Sequence, residues 1–340
     1  MKRTLLTVAL CSLTGFSLGG LTLSAQPPKP TIWEKRAEER FKPISRTTKM
    51  EISQAQPSSS GLKKKKLKKP KRILAFWRSE GFIHTSIPTA NFALQEMSRK
   101  THAFTVELSD DYKVFDKKYL KGFDAILFNS TTHLKFPEAS QREAIQKFVE
   151  AGGGLIGIHA ASDNFYEWDT GVSLMGGQFN GHPWGGGGNW AFKLDDSEHV
   201  LNRAFEGKGF WHSDEIYQYK PSNFEGEDNL RILVSLDMSK DVVSDRLTDP
   251  KNVEKFGKVY GSGSREVPVS WIRDIGKGRL FYTNLGHREE TYENQAIMQH
   301  MYDGILYALG YVKTDATPTA EAGSLRSALA PAPVVAKEAK

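Results

Sequence analysis

Cysteine is almost missing from this chain. Its single cysteine in 340 residues is Cys11, so no disulfide can close within the chain and no thiol nucleophile exists beyond the N-terminal apolar run. Apolar stretches long enough to span a bilayer are absent after residue 23. The first strand-like segment is not followed by G-x-G-x-x-G, which argues against a nicotinamide cofactor. There is no H-E-x-x-H and no close His-x-His pair, so no ready-made metal motif is present. A general excess of positive charge is lacking too. The formal net charge is +6, but eight basic residues between Lys63 and Arg72 account for more than all of it and the remainder sums to −2. A globally basic nucleic-acid binder is therefore not indicated, and the run itself reads as a solvated tether. No internal repeat is found.

The N-terminus has a definite grammar. Lys2 and Arg3 precede the apolar run Thr4 to Leu23, which ends in Leu-Ser-Ala before Gln26. A basic n-region, an apolar h-region and a small-residue cleavage site make residues 1–25 a signal peptide, with export to the periplasm or beyond; an uncleaved membrane anchor is the alternative. Residues 26–70 are rich in Pro, Ser, Gln and Lys and are expected to be a disordered basic linker, with a transient helix at Glu34 to Arg40. Residues 313–340, rich in Ala and Pro, are expected to be a disordered tail.

Between them, residues 71–312 read as one domain. Strands are expected at Arg72–Trp77, Ala103–Leu108, Phe123–Asn129 and Leu155–His159, alternating with helices at Pro88–Lys100 and Glu138–Ala151. Such alternation predicts an α/β fold with a doubly wound, mainly parallel sheet and helices on both faces. The C-terminal half adds further strands at Trp190–Leu194, Glu215–Tyr219, Leu230–Leu236, Val267–Asp274 and Arg279–Thr283. The last two are joined by a tight turn at Gly276-Lys277-Gly278, which makes that pair antiparallel. A helix at Asn294–Leu309 closes the domain.

The densest chemistry lies in GGGLIGIHAASD, residues 152–163. Glycines lead into a short apolar strand, His159 stands where the strand ends, and two alanines follow. This is a strand–elbow–helix turn, and ligands of open α/β sheets bind beyond the carboxyl ends of the strands. Comparable elbows carry a Ser or Cys nucleophile; an imidazole there suits acid–base work instead. His84 follows the first strand and His287 the last, so both can converge on the same crevice. Asp163, Tyr166 and Trp168 come directly after the elbow and are candidates for sugar hydroxyls and stacking, or for a helix cap and core. His182 sits beside the run Gly185–Gly188, which reads as a mobile flap rather than a phosphate cradle. In HSDEIY, Asp214 and Glu215 would face opposite ways on a strand, so one of them at most serves a given site. His102, His133, His199 and His300 have no such context and are read as structural. No cofactor is expected; the alternative is a divalent metal on His159, His182, His287 and Asp214.

The ordered motifs GFIHTSIP, FNSTT, EAGGGLIGIHAASDNFYEW, GGQFNGHP, HSDEIYQY and PVSWIRDIGKGRLFYTNLGHREETY resemble the ThuA-like (trehalose-utilisation) family across 72–312. The resemblance implies a class I glutamine amidotransferase-like, flavodoxin-like fold. It also implies a role in carbohydrate catabolism, on 3-keto-disaccharides or glycosides supplied by a partner sugar oxidoreductase. Glutaminase activity does not follow, because His159 stands where that chemistry needs cysteine. The expected enzyme is a sugar hydrolase, lyase or isomerase with His159, Asp214 and Glu215 as catalytic groups and His84, Asp163, Tyr166, Trp168, His182 and His287 around the substrate. The rivals are a metal-dependent sugar hydrolase and a non-catalytic sugar-binding module of the cell envelope. The expected partner is a small-molecule carbohydrate, with a homo-oligomer the admissible assembly, no specific nucleic acid, and no membrane span in the mature chain.

Overall fold

The structure, a computed structural model, describes residues 31–63, 67–257 and 266–333. The longer helices and the strands are numbered in chain order. They are α1 (Ile32–Arg40), α2 (Arg46–Ala55), β1 (Lys71–Phe76), α3 (Ile87–Thr101), β2 (Phe104–Ser109), β3 (Ala125–Asn129), α4 (Ala139–Glu150) and β4 (Gly154–Ile158). Then follow β5 (Trp190–Leu194), β6 (Phe210–His212), β7 (Arg231–Leu236), β8 (Pro268–Ile275), β9 (Gly278–Thr283) and α5 (Gln295–Ala308).

Among the described residues nine strands form one mixed sheet, in the order β2-β1-β3-β4-β9-β8-β7-β5-β6. The half from β2 to β9 is parallel and the half from β9 to β6 is antiparallel. Strand alternation divides the core. Ile73, Ala75, Leu127, Ile156 and Phe281 pack into one cluster, with α2, α3 and α5. Leu74, Phe76, Phe128, Leu155 and Leu280 pack into the other, with α4. Both faces of the inner parallel strands β3 and β4 are covered, which is why their sequences are almost wholly apolar, whereas edge strand β2 is partly exposed and alternates. Gly157 is needed at the centre of β4: a Cβ there would stand 2.4 Å from Met175 Sδ and 2.7 Å from the Tyr282 ring.

Several expectations change. Glu215–Tyr219 is not a ladder strand; Ile216 and Tyr219 make only isolated bridges, to Trp184 and Phe179. The short β6 takes the edge instead. Residues 31–55 are not a disordered linker. Thr31 and Glu34 form a capping box at the start of α1. Trp33 is buried against Phe41 and Trp77, and its indole donates to Asp110 at 2.7 Å. Ile52 of α2 is fully buried in the main core, and Lys100 donates to the Ser53 carbonyl at that helix's end. The described part of the tail, 313–333, is ordered against the sheet as well. The Leu194 and Ala328 backbones exchange two hydrogen bonds of 2.9 Å, and Ala330 donates to Asp237. Among the described residues no helix is long and apolar enough to cross a membrane. The expected signal peptide, and residues 64–66 of the basic run, lie outside the described residues.

Candidate functional site

Three parallel strands deliver the site. His84 follows β1, His159 follows β4 at once, and His287 follows β9, so all three stand at carboxyl ends on one edge of the sheet. Glu215 arrives from the segment between β6 and β7. One potential ligand atom from each of His84, His159, Glu215 and His287 lies within 4.8 Å of all the others.

His159 is the best fixed of the four. It is fully buried and has φ +48°, a left-handed conformation that costs a non-glycine residue roughly 1 kcal/mol or more. That turn aims the ring back across the sheet edge. Nδ1 donates to the Asn284 carbonyl at 2.7 Å, which leaves Nε2 as the lone-pair nitrogen facing the group. Nε2 accepts from the Tyr217 hydroxyl at 3.1 Å, and lies 3.3 Å from His287 Nδ1 and 3.8 Å from Glu215 Oε2. Gly286 makes room for this: it has φ +132°, and a Cβ there would stand 2.6 Å from the Tyr292 hydroxyl and 3.5 Å from His159 Cβ.

Glu215 is the hub. Oε2 is 3.1 Å from His287 Nδ1, and Oε1 is 3.3 Å from His182 Nδ1. The His84 ring meets those of His159 and His287 edge-on, at centroid distances of 4.7 and 5.2 Å. His84 Nδ1 is buried with no hydrogen-bond partner. Burial holds the pKa values of His84 and His159 well below the ordinary histidine value, with the neighbouring imidazoles adding to the effect. Burial would lower His287 as well, but its hydrogen bond to Glu215 and the charges of Glu215 and Asp214 outweigh that, so its pKa is raised. The site thus combines two neutral imidazoles, an imidazole that favours the charged form and a carboxylate.

Asp214 is not part of this group. Its oxygens accept from the backbone N–H groups of Glu215, Gly286 and Arg288 and from the Thr291 hydroxyl, at 2.8 to 3.1 Å. It ties the loop bearing His287 to the segment bearing Glu215. Burial pushes its pKa up to about 6 against those hydrogen bonds. Of the metal set expected from sequence, His159, His182, His287 and Asp214, the converged group contains His159 and His287, together with His84 and Glu215. Among the described residues His182 approaches the group at Glu215.

Asp163, Tyr166 and Trp168 form a separate patch, with no hydrogen bond or ring contact to the histidine group among the described residues. Asp163 accepts from the Tyr166 hydroxyl and lies 3.4 Å from His133 Nε2, so its partner is a histidine that sequence left as structural. That interaction, mainly the hydrogen bond, raises the His133 pKa. Trp168 packs on Phe136 and Phe165. The glycine run is pinned rather than free, since Arg288 Nη1 donates to the Gly186 carbonyl at 3.0 Å. Tyr217 and Asn284, which orient His159, went unnoticed in the sequence. The position of Asn284 directly after β9 was the available signal.

Fold and site together define a class: a mixed α/β protein with a buried three-histidine, one-carboxylate group where its parallel strands end. The chain belongs to the ThuA family, described as trehalose utilisation, whose model matches residues 72–308. Among solved structures it is similar to a ThuA-like protein from Bacteroides uniformis, at 21% identity and a TM-score of 0.53, covering 75% of this chain and 97% of that one. A ThuA-like protein from Parabacteroides merdae is similar to the same degree, at 19% identity and a TM-score of 0.53, covering 76% and 98%. At these identities the likeness is one of fold. No curated protein matches the chain significantly.

Proposed function

We propose that this protein is an exported enzyme of carbohydrate breakdown whose site holds a divalent transition metal, zinc foremost, on His84, His159, Glu215 and His287. The observation that carries the reading is the donor spacing. Ligands bonded at about 2.0–2.2 Å around a tetrahedral centre sit roughly 3.3–3.6 Å apart. The separations here are 3.3 Å (His159 to His287), 3.1 Å (Glu215 to His287) and 3.8 Å (Glu215 to His159). Two further features support it. The Nδ1–H of His159 is anchored on a carbonyl, as the outer nitrogen of metal-bound histidines usually is. His84 and His159 are held neutral, as ligation requires, and binding would have to displace the proton that Glu215 favours on His287.

The family description supports a sugar substrate, and the resemblance to ThuA-like proteins favours a 3-keto-glycoside made by a partner sugar oxidoreductase. A bound metal, expanding from four ligands to five, would polarise the sugar carbonyl as a Lewis acid. The protein's own groups would do the rest. His182, whose side chain is 33% exposed and whose Nδ1 lies 3.3 Å from Glu215 Oε1, would exchange a proton with the carbon beside that carbonyl. Tyr217 and Asn284 hold His159 in its orientation. The reaction class is proton transfer next to a carbonyl, as in elimination or isomerisation. The reading also treats the parallel half as flavodoxin-like, which its order β2-β1-β3-β4-β9 favours. The basic and apolar N-terminal grammar supports export.

The test is a turnover screen on 3-keto-glycosides and their parent sugars, with His159→Ala and His182→Ala as controls. Turnover of a keto-sugar that is abolished by chelation and restored by zinc is expected. Absence of turnover on every sugar, in protein with its metal site filled, would overturn the enzyme reading.

A further inference from the structure

Helix α1 precedes the family match at 72–308, yet it is bound to the loop that carries His84. Arg36 donates to the Glu80 and Gly81 carbonyls at 3.0 and 2.6 Å, and Arg40 Nε donates to the Ile83 carbonyl at 3.1 Å. Between helix and loop lies an open groove of about 400 Å³, lined by Arg36, Glu39, Arg40, Phe82 and Ile83. Phe82 is the feature that calls for an explanation. It is a large apolar side chain left 54% exposed, while the Thr132 hydroxyl fixes its backbone carbonyl at 2.9 Å. Its ring meets that of buried His84 edge-on at 4.8 Å, so one residue of the groove wall packs on one member of the histidine group.

We infer that this groove is an outer sugar subsite, which takes the second ring of a disaccharide-sized glycoside whose first ring sits at the histidine group. The inference rests on the proposed function. The chemistry fits a pyranose ring: an exposed aromatic side chain to cover its C–H face, with charged groups at the rim for its hydroxyls. The Arg40 guanidinium lies over one face of the Phe82 ring, 5.2 Å from its centroid, which leaves the other face for the sugar; among the described residues only its Nε is committed to a carbonyl, so its terminal N–H groups remain for hydroxyls. Glu39 is an exposed acceptor whose carboxylate makes no ion pair among the described residues. Both arginines are fixed by backbone carbonyls before ligand arrives, which lowers the ordering cost of binding. The subsite is thus built half from the family domain and half from the helix in front of it.

The experiment compares 3-keto-trehalose with the 3-keto form of methyl α-glucoside as substrates of the full-length metal-loaded protein, and follows trehalose binding separately by saturation-transfer NMR. Phe82→Ala is expected to lower the disaccharide-to-monosaccharide ratio of kcat/KM about ten-fold, through KM, and to weaken trehalose binding. Phe82→Trp should keep the ratio, which a merely structural role for Phe82 would not predict. An unchanged ratio and unchanged binding in Phe82→Ala overturn the subsite while leaving the enzyme reading intact. Binding of trehalose that depends on Phe82, without turnover of either sugar, upholds the subsite and overturns the enzyme. Neither turnover nor binding overturns both.

Discussion

His159 meets two demands at once: a backbone turn that side chains disfavour, and an imidazole with one fixed tautomer. The adjoining loops serve the same end. Asp214 spends both oxygens on the segments that carry Glu215 and His287, so Asp214→Ala should act through position rather than chemistry. It is expected to cost on the order of 3 kcal/mol in urea unfolding and to weaken metal binding roughly 10- to 100-fold in a titration. Far from the site, His300 is fully buried between Ser270 Oγ and the Leu201 carbonyl, and burial depresses its pKa from 6.5 to about 4. Between those values the unfolded chain takes a proton that the folded protein refuses. Stability should therefore be fully present above pH 6.5 and fall as pH drops towards 4, by about 3 kcal/mol from this group. His300→Gln should flatten that part of a stability–pH curve; an unaltered slope would show that another group is responsible. At this scale the sequence made the strand-end histidines legible, because position after a parallel strand predicts convergence. It did not separate Asp214 from Glu215. Alternation along a strand was the rule applied, but these residues lie off the ladder, and their roles depend on which loop each meets. Asp163 was misleading for the same reason, since its partner His133 is distant in sequence and comes from the loop after β3.

Among the elements, the inner parallel strands β3 and β4 were readable because burial on both faces leaves apolar runs, and edge strand β2 because its residues alternate. Edge strand β6 has three residues, all partly exposed, and carries no such signal. Helix α2 was missed, and α1 was expected only as a transient helix at Glu34 to Arg40, because each buries only two residues, Trp33 and Ala37 in α1 and Ile52 and Ala55 in α2. The surrounding composition reads as linker, although the Thr31–Glu34 capping box was there to be seen. These helices reach both flanks of the site. Arg36 and Arg40 hold the loop before His84, and α2 packs against the turn at 289–293 that follows His287. Trp33→Ala is accordingly expected to destabilise the protein by roughly 3 kcal/mol. It should also raise the KM for sugar, because the loop at 80–84 loses its brace. Denaturant unfolding and steady-state kinetics on one preparation check both, and a stability loss below about 0.5 kcal/mol would mean that α1 is not docked in solution.

At the scale of the molecule, one sheet does two jobs. Its parallel half brings three histidines to a common edge, and its antiparallel half carries the segment that adds the carboxylate. The N-terminal helices and the described part of the C-terminal tail close over this frame, and apart from the helix expected at Glu34 to Arg40 neither was legible as structure, because their contacts are few and long-range. The account turns on whether the four converged side chains hold a metal. The most direct measurement is elemental analysis of the purified protein, together with the His159→Ala and Glu215→Gln variants, after equilibration with zinc and removal of loosely bound ions. The account predicts about one divalent ion per chain in the unaltered protein and little in either variant. Metal-free protein that turns over sugar at full rate in the presence of chelator would contradict it.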